Sequence, residues 1–307
     1  MEKNVLIESN VEFVRSDLAC ECAAISKSVL GDEKYIEEIS REGFELIRAE
    51  IRSSEDSKKT GKPQGRYLTV LCGNLAELCD SEAEALSRCV ARELRGLVLG
   101  ACKKRDEKDL CVLIAGLGNA KMTPDAIGPE TVSRLTATNH LSYIDPALFR
   151  SLGCARLCAV SPGVLGDTGI ESAELIRGAI KGADADVLIV VDALASRSAQ
   201  RLASTVQISD SGITPGAGVG NKRSEISQRT LGVPVIALGI PTVIDCTTLV
   251  FDALGELGHN ADEKCAELLR KQKNFFVAPK ESDEITRRAA CIIADAVDIA
   301  FGIKGAK

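Results

Sequence analysis

Two aspartates carry the chemistry most readily read from this chain. Asp125 falls in the stretch CVLIAGLGNAKMTPDAIGP (residues 111–129) and Asp192 in DVLIVVDALASR (residues 186–197), each just past an apolar run that reads as a strand ending in a sharp turn. In an open α/β sheet the carboxyl ends of parallel strands border the crevice where ligands bind, so carboxylates placed there converge although the chain holds them far apart. A converged pair can share one proton: the ionised member draws a proton from water, while the protonated member supports a carbonyl oxygen and later the leaving amine. That is hydrolysis of a peptide bond without a nucleophilic side chain.

Each aspartate also has a structural use. Asp125 precedes Gly128-Pro129 and can cap the following helix, and Asp192, at the end of the most apolar run, can satisfy backbone amides. Burial there is expected to raise the pKa of Asp192, and a neighbouring Asp125 to raise one member of the pair further. Asp210, Asp245 and Glu171 lie near predicted strand or helix ends, where they are either supporting acids or caps.

Other chemistries fail on spacing. Gly116-Leu-Gly118 follows a strand, but the third glycine of a dinucleotide fingerprint would fall at Lys121. The run from Gly216 to Lys222 puts Asn221 where a phosphate loop needs its second glycine and Arg223 where it needs Ser or Thr. With only His140 and His259, and neither HExxH nor CxxC, the usual zinc sites are missing, although a carboxylate-bound Mg²⁺ or Mn²⁺ stays open. His140 reads as a helix C-cap, and no Gly-x-Ser-x-Gly elbow occurs. The residues call for no cofactor.

These side chains need a scaffold, and 307 residues with 45% apolar content suffice for an α/β fold with a buried core. Strands are predicted at 111–115, 155–160, 186–191 and 233–239, with helices near 128–138, 171–182 and 245–257, the alternation that builds a parallel sheet. Residues 67–73 read as the first sheet element, 53–66 as a surface loop, and 15–30 as a helix capped by Ser16 and Asp17. Ser81 to Glu84 and Thr168 to Glu171 read as capping boxes, the first opening a helix striped by Ala83, Leu86, Val90, Leu94 and Leu97. A glycine-rich loop or hairpin over 205–223 is expected to cover substrate, and a long amphipathic helix over 282–301 to pack on the sheet.

A net charge of −6 and 3% aromatics argue against direct binding to nucleic acid. The first residues lack a secretory pattern and no apolar stretch reaches the length of a membrane span, so the expectation is a cytoplasmic protein with no membrane partner. In that setting most of the twelve cysteines read as reduced, buried packing residues.

Several long blocks in one order then carry a resemblance: VRSDLA (14–19), GLGN with TPDAIGP (116–129), SPGVLGDTGIES (161–172), VDALASRS (191–198), QISDSGITPGAGVGNKR (207–223), LGVPVIALGIPTVID (231–245) and VAPKESDEI (277–285). The chain resembles the germination proteases of spore-forming Firmicutes, endopeptidases of small acid-soluble spore proteins. The resemblance implies an aspartate-dependent endopeptidase with its carboxylates at Asp125 and Asp192, the positions reached from the residues alone. It implies a fold like that of hydrogenase maturation proteases, a doubly wound, mostly parallel α/β sheet flanked by helices, in which corresponding acids can bind metal. A metal-dependent maturation peptidase holding its ion at Asp125 and Asp192 is therefore the alternative. It also implies a zymogen whose propeptide, residues 1–17, inhibits an α/β peptidase domain of residues 18–307 until the chain is cut between Asp17 and Leu18. Substrates would be DNA-coating spore proteins cut at a glutamate followed by a hydrophobic residue, in the forespore and spore core, by a homotetramer. A non-enzymatic module clamping an extended peptide is the remaining reading.

Overall fold

A computed structural model describes residues 16–21, 36–103, 106–217, 223–256 and 275–304. Three strands with near-continuous apolar sequence make its centre: β4 (Cys111–Gly116), β6 (Val187–Ser196) and β8 (Val235–Asp245). A strand buried on both faces has no polar side to offer water, which is why these runs do not alternate. With β5 (Arg156–Val160) they lie parallel in the order β8-β6-β4-β5.

The sheet extends beyond β8 as an antiparallel wing of β7 (Thr205–Ser209), β3 (Gly65–Leu71), β2 (Phe44–Ile51) and β1 (Ile36–Arg41), in that order outwards. The tip of β8 also pairs with a two-residue strand, β9 (Phe276–Val277). The doubly wound architecture holds, with the parallel arrangement confined to one half of the sheet.

Helices cover both faces. On one side, α2 (Asp80–Cys102), α3 (Ile127–Arg134) and α10 (Ser282–Ala300) bury Leu86, Val90, Leu94, Ile127, Ile292 and Ile293 in a single core with the sheet. On the other, α7 (Ser172–Ala183) seats Ile176 and Ile180 on Leu113, Leu188 and Val190. Smaller helices are α1 (Ser54–Thr60), α4 (Leu141–Ile144), α5 (Pro146–Leu152), α6 (Leu165–Thr168) and α8 (Gln228–Leu231), with α9 (Cys246–Glu256) following β8. Residues 16–21 lie over the sheet, Leu18 and Cys20 packing on Leu194.

Several local expectations are corrected. Residues 67–73 are not the first sheet element, because β1 and β2 precede them as a hairpin turned by Glu42 and Gly43, both at positive φ. The polar stretch 53–66 contains α1, which forms because Ser53 and Asp56 cap it reciprocally and Gly61 ends it in the left-handed region. The start of α2 is held by Glu82 accepting from the Cys79 N–H, two residues before the predicted box. Thr168 closes α6 and bonds the Ile170 N–H instead of boxing with Glu171.

Residues 205–209 are strand, since their β-branched run is buried between β3 and β8. Residues 218–222 of the predicted glycine loop, and 22–30 of the predicted first helix, lie outside the described residues. His140 precedes α4, its carbonyl accepting from the Tyr143 and Ile144 N–H groups, so it begins a helix and does not end one. All ten described cysteines are free, and five of them are buried, fewer than the sequence suggested.

Because Leu94 is fully buried between α2 and the sheet, Leu94→Ala is expected to lower unfolding free energy by about 2–5 kcal/mol in a denaturant titration.

Candidate active site

The strands of the centre end at different heights. β4 pairs with β6 only as far as Gly116 opposite Val191, whereas β6 stays paired with β8 as far as Ser196 opposite Ile244. Asp192 therefore lies inside β6, not beyond its end, and it is the first residue of β6 past the reach of β4. Its strand is walled by apolar neighbours, and Asp192 itself is only 7% exposed.

The chain leaving β4 folds back to bring Asp125 alongside. Gly118 sits at φ +110, and a Cβ there would stand 1.9 Å from the Asp125 carbonyl oxygen, so only glycine permits this return. Asp125 ends a 3₁₀ turn, Thr123–Asp125, which two hydroxyls hold in place: Thr242 of β8 donates to the Pro124 carbonyl (2.6 Å) and Thr286 of α10 to the Thr123 carbonyl (2.9 Å). The Asp125 carboxylate accepts from the Asn119 N–H at 2.8 Å and caps nothing in α3, so its expected structural use is not realised.

Asp125 and Asp192 line one cavity of about 300 Å³, shared with Asp17, Glu171 and, on its apolar side, Met122 and Phe276. Burial raises the Asp192 pKa well above the usual carboxylate range, and the charges of Asp125 and then Asp17 push it the same way, against one bond from the Ala193 N–H (3.0 Å). Burial raises Asp125 too, with the Asn119 N–H opposing. Two acids in this state favour a pair in which one proton is retained.

The remaining acids sort cleanly. Asp210 is committed to Arg66, accepting from its backbone N–H (2.6 Å) and from its guanidinium (2.7 Å). Asp245 accepts from the Thr247 N–H at the start of α9. Glu171, flagged only as one of several possible supports, does reach the cavity. Asp17 was read as a cap and a cleavage position, yet it stands beside Asp192, a placement that no local sequence pattern encodes. Among the described residues no three His, Cys, Asp or Glu side chains gather as a metal site.

The structure is that of a doubly wound α/β protein with two carboxyl groups, those of Asp125 and Asp192, lining one cavity where β4 stops short of β6. The comparisons name the family: the germination protease profile matches residues 24–268, and the chain belongs to that family. It is 36% identical to the germination proteases of Caldanaerobacter subterraneus subsp. tengcongensis and Clostridium perfringens (strain ATCC 13124), over 94% of this chain and 94% and 95% of theirs. With that of Bacillus velezensis it shares 40% identity over 82% of this chain and 69% of the relative. It is thus a protease of the spore germination family. A [NiFe] hydrogenase maturation protease from Thermococcus kodakarensis matches 62% of this chain and 93% of its own at 17% identity and a TM-score of 0.33. Among the described residues no helix is long and apolar enough to cross a membrane.

Gly118→Ala is expected to displace Asp125, reducing peptidase activity and costing about 2–4 kcal/mol of stability, measured on the same preparation. Asp192→Asn is expected to stabilise the protein by about 1–2 kcal/mol at neutral pH. A carboxyl whose folded pKa is raised gives its full stability below the ordinary carboxylate value and loses it as pH rises through the folded one. The gain in melting temperature should therefore vanish in acid, and a gain independent of pH would contradict the burial of a titrating Asp192.

Proposed function

We propose that this protein is an aspartate-dependent endopeptidase of small acid-soluble spore proteins, made as a zymogen that residues 1–17 hold inactive until the chain is cut between Asp17 and Leu18. The observation that carries this reading is the joint burial of Asp192 and Asp125 in one cavity with both pKa values raised. Asp192, the more buried, keeps the shared proton and presents it to the carbonyl oxygen of the scissile bond. Asp125, half-buried and favoured as an anion by the Asn119 N–H, takes the proton from the attacking water. Collapse of the tetrahedral species then returns a proton to the leaving amine, and the pair is reset.

The zymogen reading is supported by where the cut would fall. Leu18 is fully buried, and the Asp17 backbone is tied at both ends, its N–H to the Ala195 carbonyl (2.8 Å) and its carbonyl to the Gln207 amide (3.0 Å). An intact chain therefore keeps an extra carboxylate beside the pair. Spore proteins released from DNA are open chains suited to such a cleft. The homotetramer and the spore-core location rest on the family resemblance.

The deciding experiment is mass spectrometry of a peptide containing Thr-Glu-Phe-Ala-Ser-Glu after incubation with the chain beginning at Leu18 and, separately, with the full chain. Cleavage after glutamate by the shortened chain alone is the expected result, and none by either chain counts against the reading. Asp125→Asn and Asp192→Asn should each lower the rate by about 10²–10⁴-fold. Activity should fall in acid, where both carboxyls are protonated, and again at a pH well above the usual carboxylate range, where the raised member ionises. Full activity after metal stripping and chelation separates this mechanism from a metal peptidase.

A further inference from the structure

Because β6 outruns β4, the last part of β6 is paired with a strand on one side only among the described residues. The Val191 carbonyl still faces β4, accepting from the Leu117 N–H at 2.8 Å, while the Leu188 N–H faces β8, donating to the Pro234 carbonyl at 3.0 Å. Backbone groups alternate sides along a strand, so Ala193 and Ala195 turn theirs toward the side that β4 has vacated. That side is the cavity, which both alanines line next to Asp192.

Asp17 already uses this edge. Its N–H donates to the Ala195 carbonyl (2.8 Å), and its carboxylate accepts from the Ala195 N–H (2.9 Å), standing where the carbonyl of an added strand would stand. The two bonds are the pair that antiparallel neighbours exchange, one of them made by a side chain. With Asp17 in place Ala195 is buried, 2% exposed, so no second chain can reach it.

We propose that the uncovered edge of β6 at Ala193 and Ala195 binds the substrate backbone as an added strand, and that Asp17 competes for it. The proposal rests on the peptidase reading of this cavity, since only there does the edge have a scissile bond to place. An extended peptide is the occupant that fits: the groups offered are the Ala193 carbonyl and the N–H and carbonyl of Ala195, the Ala193 N–H being held by the Asp192 carboxylate (3.0 Å), and the edge runs directly out of Asp192. A peptide bonded to Ala193 and Ala195 lays consecutive residues across the carboxyl pair, and its affinity is insensitive to most side chains. Asp17 must leave Ala195 before such a chain can dock.

The test is binding, read separately from cleavage. Fluorescence anisotropy would follow the labelled peptide of the preceding section, and variants of it each N-methylated at one position, with full-length Asp17→Ala and with the full-length parent. The expected result is a loss of about tenfold at every second position, where an N–H is directed at β6, with the intervening positions tolerant. Asp17→Ala should bind the unmethylated peptide about tenfold more tightly than the parent chain. Circular dichroism confirms that both chains are folded, and hydrogen exchange at the Ala195 amide reports directly whether the edge is uncovered in the variant and covered again by peptide. Losses without a two-residue period, or no binding by either chain, would overturn the proposal. Alternating losses with no cleavage by any form, including the chain starting at Leu18, would leave the edge standing and remove the peptidase reading. Cleavage with no alternation would do the reverse.

Discussion

An acid held out of water beside a second acid is the constraint around which this protein is arranged. A carboxylate in apolar surroundings costs several kcal/mol unless it is paired, bonded or protonated. Asp192 has burial and two acidic neighbours set against one backbone donor, so its surroundings on balance oppose ionisation. The surroundings enforce this with unusual economy of means. β4 stops one residue short of it, β8 carries on past it, and the glycine return at Gly118 delivers Asp125 to its side. A soft or hydrated site would let both groups ionise and drift apart. The continuous sheet on one side and the anchored turn on the other prevent this.

The asymmetry between the two acids follows from their supports. Asp125 sits half-buried on a turn with the Asn119 amide aimed at its carboxylate, and Asp192 is buried on a central strand with the Ala193 amide set against two acidic neighbours. Burial favours the acid form at both, more strongly at Asp192, while the Asn119 N–H offsets part of it at Asp125; that difference is what the proposed acid/base pair would use. The third carboxylate, Asp17, arrives from the far end of the chain and is held by four elements of the sheet and its loops: Ala195, Gln207, and, through its neighbours Ser16 and Glu21, Lys62 and the Arg197 and Ser198 amides. That many ties on six residues make the segment a structural part of the cavity wall.

The central strands and the large helices were legible because their sequences leave little choice. CVLIAG and the stripe of Leu86, Val90 and Leu94 suit one environment each, and the two aspartates stood out as the polar interruptions. The lengths of β6 and β8 were not legible. Nothing in ALAS or PTVID distinguishes a strand from a loop until their mutual pairing is known, and that pairing joins positions about fifty residues apart. The hairpin β1–β2 was missed for a related reason: its outward face carries glutamates and arginines, and its Glu-Gly turn lacks the usual asparagine or aspartate signal. Asp17 was visible as a helix cap and, through the resemblance, as a cleavage position, but its contact with Ala195 was not, because no sequence rule connects the two.

The turn carrying Asp125 is fastened by Thr242 from the sheet and by Thr286 from the last helix. Helix α10 in turn shares its core with α2 and α3, burying Ala289, Ile293 and Val297. Local opening of a protein proceeds in cooperative units that follow such packing. The turn that carries Asp125 is thus expected to open together with α10, with exchange of its amides keeping time with that helix. On the proposed reading the carboxyl groups of residues 125 and 192 stay together only while α10 (Ser282–Ala300) is docked, so that this helix, as much as the strands, completes the site.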